Sequence, residues 1–229
     1  MNCIIHTIAN LLESKLIMRG LIRSFVKLCA QTLPISEPIY EFGSFQLPGQ
    51  VGFADLRPLF PGKEYIGADI RNGPGVDIIL DLQKLDLLSD SVGTILILDT
   101  IEHVEFPRKA IEETYRVLKP QGVLIISSVM NFPIHEYPND YWRFTPEGFK
   151  SLLNPYDVVF VDIIGNKNFP ETILGIGFKG TISETFIQNL KKRFFYWKTS
   201  IEGESWKQIV KQFIPPKFLP ILRKFRKMN

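Results

Sequence analysis

Three short apolar runs, each closed by an aspartate, constrain this chain more than any other feature. Glu64–Asp69 (EYIGAD), Val76–Leu80 followed by Asp81, and Thr94–Leu98 (TILIL) followed by Asp99 all read as strands tipped with a carboxylate. TILIL has no polar alternation, so it belongs in a strand covered on both faces. Ile39–Phe42, running into Gly43, and Gly122–Ser128 (GVLIISS) are two more such runs, with Tyr156–Ile164 as a sixth strand and Thr172–Phe178 as a seventh. Between them, Pro107–Leu118 gathers Ala110, Ile111, Tyr115 and Leu118 on one helical face. Thr145-Pro146-Glu147 opens a helix to about Leu153, with a capping hydroxyl and a proline at the first position. Phe53–Phe60 reads as a short helix stopped by Pro61-Gly62. Strand and helix alternating at this spacing predict an α/β fold with a mostly parallel seven-stranded sheet and helices on both faces. Right-handed crossovers then bring the strand carboxyl ends to one edge, where ligands bind near the reversal of strand order.

The chain has 229 residues, enough for one such domain and short for two. Residues 34–182 hold the sheet pattern. Residues 1–33 form an amphipathic helical extension, with Ile4, Ile8, Leu11, Leu12, Leu21, Ile22, Phe25 and Val26 at helical spacing. Residues 183–229 form a second, basic and aromatic-rich helical extension: positions 191–229 alone carry eleven Lys or Arg against Glu202 and Glu204. The middle of the chain is acidic, so the ends are the parts suited to an anionic partner, or to packing back on the acidic body. A membrane surface fits better than nucleic acid, for which no recognised motif is present. No apolar run reaches the roughly 18 to 20 residues of a membrane span, and no secretory signal opens the chain. Cys3 and Cys29 are too few for a disulfide scaffold and read as reduced thiols. A cytoplasmic protein, touching the inner membrane surface through its basic ends, is the expectation.

Acidic tips on successive strands call for a ligand rich in donors. A ribose diol suits a carboxylate, which can accept two O–H bonds at once, and an adenine amino group or a free α-amino group are further donors. A nucleoside bearing an amino-acid tail fits this set better than a dinucleotide pyrophosphate does. Aspartates that merely cap turns are the competing reading.

Four stretches resemble the class I S-adenosylmethionine-dependent methyltransferases of the small seven-stranded, Rossmann-like type. They are Tyr40-Glu41-Phe42-Gly43-Ser44-Phe45, Tyr65-Ile66-Gly67-Ala68-Asp69, Leu98-Asp99-Thr100-Ile101-Glu102-His103-Val104 and Tyr115-Arg116-Val117-Leu118-Lys119-Pro120-Gln121-Gly122-Val123-Leu124. The likeness spans about residues 36–180. It implies that Glu41, Gly43 and Ser44 line the methionine part of S-adenosylmethionine, that Asp69 accepts the ribose hydroxyls, and that Ile70, Asp81 and Leu82 surround the adenine. Asp99 and Thr100 would face the transferred methyl group. The first stretch departs from the family in keeping only Gly43, with Phe45 where a second glycine is expected.

The run 131–144 follows the fifth strand and should overhang the methyl end, with aromatics, His135, Asp140 and Arg143 to form an acceptor pocket. His135 or His103 could take the proton of a hydroxyl acceptor, Asp140 could fix the His135 tautomer, and Arg143 could meet an anionic acceptor group. Asp99, Glu102 and His103 could suit magnesium or manganese, but this is a thin ligand set and the site is expected to work without a metal. The resemblance therefore implies methyl transfer, and the expected acceptor is a small molecule, glycan or lipid-linked group methylated at oxygen. The alternative is a catalytically silent protein of the same fold that serves as a binding or scaffold subunit.

Overall fold

The structure is a computed structural model that describes residues 19–47, 50–135 and 138–203. Much of both basic ends, 1–18 and 204–229, lies outside the described residues. Seven strands form one sheet: β1 (Ile39–Phe42), β2 (Tyr65–Asp69), β3 (Ile78–Ile79), β4 (Val92–Leu98), β5 (Leu118–Val129), β6 (Val158–Asn166) and β7 (Phe169–Phe178). Their spatial order is β3-β2-β1-β4-β5-β7-β6. β7 runs antiparallel to both of its neighbours, and the other pairs are parallel. The expected mostly parallel, Rossmann-like sheet is thus present.

Every residue of β4 is buried, as its uniform apolarity requires. Successive side chains of a strand point to opposite faces. Ile95 and Ile97 of β4, with Leu124 and Ile126 of β5, accordingly join one core layer, and Leu96, Leu98, Val123 and Ile125 join the other. The first layer is covered by α2 (Pro107–Val117) and α3 (Pro146–Leu152), which contribute Ala110, Ile111, Phe149 and Leu152. Thr145 caps α3, its hydroxyl accepting from the Gly148 N–H at 3.1 Å.

The second layer is covered by the described parts of both terminal extensions, α1 (residues 19–32) and α4 (Glu184–Gly203). Phe25 of α1 meets Phe194 and Trp197 of α4 at ring-centroid distances of 5.8 and 6.1 Å, and the Trp197 indole donates to Ser24 Oγ at 2.9 Å. These helices are therefore part of the core. The buried Cys29 thiol lies in the same layer, where burial pushes its pKa well up and keeps it protonated.

One expectation is corrected. Phe53–Phe60 forms only a single 3-10 turn, Arg57–Leu59, because Pro58 and Pro61-Gly62 leave no room for a longer helix; Phe53, Leu56 and Phe60 are buried all the same. Tyr115 packs, half-buried, against the core that holds Ala110, Ile111 and Leu118, and Thr114 is buried beside it, its hydroxyl accepting from Tyr156 Oη at 3.1 Å.

Phe194 is 1% exposed at the meeting of three aromatic rings. Phe194→Ala should lower stability by about 3–5 kcal/mol in denaturant unfolding, the usual effect of emptying such a site. An effect below about 1 kcal/mol would mean that α4 is not part of the folded core.

Candidate functional site

The chain leaves β1 toward β2 and β3, then returns to β4 on the other side of β1, so strand order reverses between β1 and β4. A cleft opens at the carboxyl ends of these strands, the expected place for a ligand. Gly43 ends β1 at φ 83°, and a Cβ on it would lie 2.1 Å from Thr100 Oγ1. Only glycine fits this close approach of the β1 and β4 turns. Asp99 holds a left-handed backbone, φ 47°, fixed by Ser127: the Asp99 N–H donates to Ser127 Oγ at 3.0 Å, and that hydroxyl donates to Asp99 Oδ1 at 2.6 Å.

Asp69 stands at the end of β2 and is 5% exposed. Its Oδ1 accepts from the Arg71 N–H at 2.9 Å and from Arg71 Nε at 3.0 Å. Its Oδ2 accepts only long bonds of 3.4 Å, from the Phe45 N–H and Arg71 Nη2. Bonds of that length leave Oδ2 with capacity for a closer donor. The Phe45 ring packs beneath the Arg71 guanidinium at 4.4 Å and against Gly73, where a Cβ would meet it at 2.2 Å. Phe45 is thus set to one side of the cleft and forms part of its wall.

Of the residues picked out from the sequence, Gly43, Asp69, Ile70, Asp81, Leu82, Asp99, Thr100, His103 and His135 line this one cleft. Glu41 and Ser44 do not. Alternation along β1 turns Glu41 into the protein, where it accepts from Tyr65 Oη at 2.7 Å, and the Ser44 hydroxyl donates to the Ala68 carbonyl at 3.3 Å. Arg143 and Asp140 also stand behind the lining. Arg143 grips Asp140 through both oxygens, at 2.5 and 2.7 Å, and donates to the Phe132, Pro133 and Trp142 carbonyls. Its donors are consumed in shaping the loop, so it is a clamp and not a receptor for an anionic acceptor. Sequence reasoning missed Arg19, Gln50 and Gln83, which also line the cleft. None of them sits in a motif.

At the far end, a carboxylate oxygen of Glu102 and a ring nitrogen from each of His103 and His135 lie within 4.8 Å of one another. Glu102 is fully buried; Ser128 Oγ donates to its Oε2 at 3.0 Å, and Oε1 has no hydrogen-bond partner among the described residues. Burial, and then the neighbouring Asp99, push the Glu102 carboxyl up to about 8. His103 Nδ1 faces the Asn139 carbonyl at 2.5 Å, and His135 Nδ1 faces Asp140 Oδ2 at 3.1 Å. Burial is the main cause lowering the pKa of both imidazoles, which favours their neutral forms. Such a trio could hold a divalent cation as well as handle a proton; Asp99, committed to Ser127, does not belong to it. Backbone N–H groups of Tyr141 and Trp142 donate to the Glu102 carbonyl at 2.9 and 3.2 Å and pin the overhanging loop there.

Residues 63–126, from β2 through most of β5, match a family model described as a methyltransferase domain. No curated protein matches the sequence. Among solved structures, an S-adenosylmethionine-dependent methyltransferase from Archaeoglobus fulgidus superposes with a TM-score of 0.53 at 14% identity, over 70% of this chain and 94% of that one. One from Thermotoga maritima, described as a possible histamine N-methyltransferase, gives 0.51 at 18% identity, over 78% and 100%. One from Mesorhizobium loti gives 0.50 at 14%, over 68% and 97%. At these identities the likeness is one of fold. The molecule is first a doubly wound α/β protein with its cleft at the strand-order reversal. The methyltransferase-domain match over 63–126 falls within the part of the chain that shares this fold with S-adenosylmethionine-dependent methyltransferases.

Burial, opposed by the Tyr65 hydroxyl and the Arg19 and Arg57 charges, pushes the Glu41 carboxyl up to about 7. The native state then binds an extra proton between about pH 4.5 and 7, so this group's contribution to stability falls as pH rises through that window. Glu41→Gln should match the wild type near pH 5 and exceed it at pH 8, by on the order of 1–3 kcal/mol. Parallel unfolding curves at the two pH values would show otherwise.

Proposed function

We propose that the protein transfers a methyl group from S-adenosylmethionine to a hydroxyl oxygen of a small-molecule, glycan or lipid-linked acceptor. The reading rests on one succession along the cleft: Asp69 and Ile70 at one end, Gly43, Asp99 and Thr100 in the middle, His103 and His135 at the other. The donor set suits an adenosyl group. Asp69 Oδ2 has room for a ribose hydroxyl, Ile70 is 53% exposed and offers an apolar face to the base, and the Gly43 turn keeps a Cβ out of the way. When bound, the cofactor supplies a methyl group on a sulfonium, open to in-line displacement. His135, its Nδ1 proton held toward Asp140, takes the acceptor proton at Nε2, and His103 packs edge-on against it at 4.7 Å. Ile134, Tyr141 and Trp142 on the overhanging loop, with Phe106 beside it, are exposed, which suits an acceptor with an apolar portion.

The silent-scaffold reading is favoured by one observation, the Arg71–Asp69 ion pair, which a ribose must share or displace. Titration calorimetry with S-adenosylmethionine and its demethylated product separates the two. Binding that falls at least tenfold in Asp69→Asn is expected; no heat from either ligand would favour the scaffold.

Among the described residues no helix is long and apolar enough to cross a membrane. Contact with an anionic membrane surface is supported by α4, where Lys191, Lys192 and Arg193 stand exposed beside Phe195 and Tyr196, themselves 62% and 59% exposed. The full chain should float with vesicles rich in anionic lipid. Changing all three cations to Glu should cut the bound fraction severalfold, and unchanged flotation would discard the contact.

A further inference from the structure

The turn after β1 is poor in glycine, and its backbone donors are already spent. The N–H groups of Gly43 and Ser44 both donate to the Ala68 carbonyl, at 2.9 and 3.1 Å. That of Phe45 points at Asp69 Oδ2, and that of Gln46 donates to the Pro74 carbonyl at 2.8 Å. A ligand with an amino-acid tail brings a carboxylate that loses its water on entering the cleft and needs a replacement donor. This turn has none to give.

Two arginines line the cleft. Arg71 is tied to Asp69 and stacked over Phe45. Arg19, in the first described turn of α1, is half-buried, and among the described residues its guanidinium makes no hydrogen bond or ion pair. It stands at the β1 side of the cleft, near enough for its charge to be felt at Glu41, two residues before Gly43. Gln50 lines the same cleft, and its buried Oε1 has no hydrogen-bond partner among the described residues. A buried polar oxygen without a partner is unfavourable and marks a place where a donor belongs. On one cleft, a guanidinium and an amide oxygen that lack partners among the described residues complement a zwitterion.

We infer that Arg19 and Gln50 bind the α-amino-acid end of the methyl donor, Arg19 pairing with its carboxylate and Gln50 Oε1 accepting from its ammonium. The N-terminal helix thereby takes over the task that the glycine-poor turn gives up. Arg19 suits it because a guanidinium can meet a carboxylate through two parallel N–H bonds. Arg19 and Gln50 are positioning residues: they select ligands that carry the tail and hold the donor in register.

The inference rests on the methyl-donor reading, and calorimetry on the full chain separates the two. The probes are S-adenosylhomocysteine, which has the tail, and methylthioadenosine, which keeps the nucleoside and thioether without it. The wild type should bind the first at least 30-fold more tightly. Arg19→Ala should weaken S-adenosylhomocysteine at least tenfold and leave methylthioadenosine unchanged, which also reports an intact fold. Arg19→Lys should recover part of the loss, and Gln50→Ala should show a smaller loss of the same kind. If Arg19→Ala binds S-adenosylhomocysteine as the wild type does, or weakens both ligands equally, the assignment is wrong while the donor reading stands. If the wild type binds neither ligand, both fall together.

Discussion

The pairing of β1 with β4 is the contact on which the rest of this molecule depends. Its parallel register sets Ile39 opposite Thr94 and Phe42 opposite Ile97, so the two strands end at nearly the same level. Gly43 and Thr100 then meet in the turns above, at a distance that admits no Cβ. β2 joins β1 on its other side in register from Ile39 to Phe42, bringing Asp69 to the same edge. The chemistry of the cleft is therefore set by backbone hydrogen bonds. The carboxylates only decorate an edge that the sheet has already levelled.

A second constraint acts on the overhanging loop. One guanidinium, Arg143, organises it by taking both Asp140 oxygens and three backbone carbonyls. Although burial opposes it, this grip and the His135 N–H hold the Asp140 carboxyl down at about 2. A carboxylate so firmly charged keeps its hold on the His135 backbone and ring together. The imidazole that faces the cleft is thus positioned by a pair of side chains that the cleft never sees.

Much of the fold could be read in the residues themselves. TILIL needed two covered faces and has them, the carboxylate-tipped runs became β2, β3 and β4, and the threonine at 145 caps its helix. The site was legible wherever a residue's place followed from the end of a strand, as with Asp69, Asp81 and Asp99. It was illegible where a side chain's partner lies far along the chain or is a backbone carbonyl. Arg143 looked like a ligand receptor because nothing in its neighbours reveals that Phe132 and Pro133 turn their carbonyls toward it. Glu41 looked like a cofactor contact, yet the pleat of β1 sends it toward Tyr65. Arg19 and Gln50 reach the cleft from outside every recognisable stretch, one from a helix that packs across the sheet.

The order in which the strands are laid down differs from the order in which they lie. β7 is last in sequence yet sits between β5 and β6, and α4, later still, seals the layer begun by α1. While the chain is being synthesised, β5 has no neighbour on its far side until residue 178 has emerged. The apolar side of the sheet under α1 stays wet until Phe194 and Trp197 arrive. A nascent chain of this protein therefore carries an open sheet edge from the completion of β5 until β7 emerges, a state prone to aggregation and suited to capture by a chaperone at the ribosome.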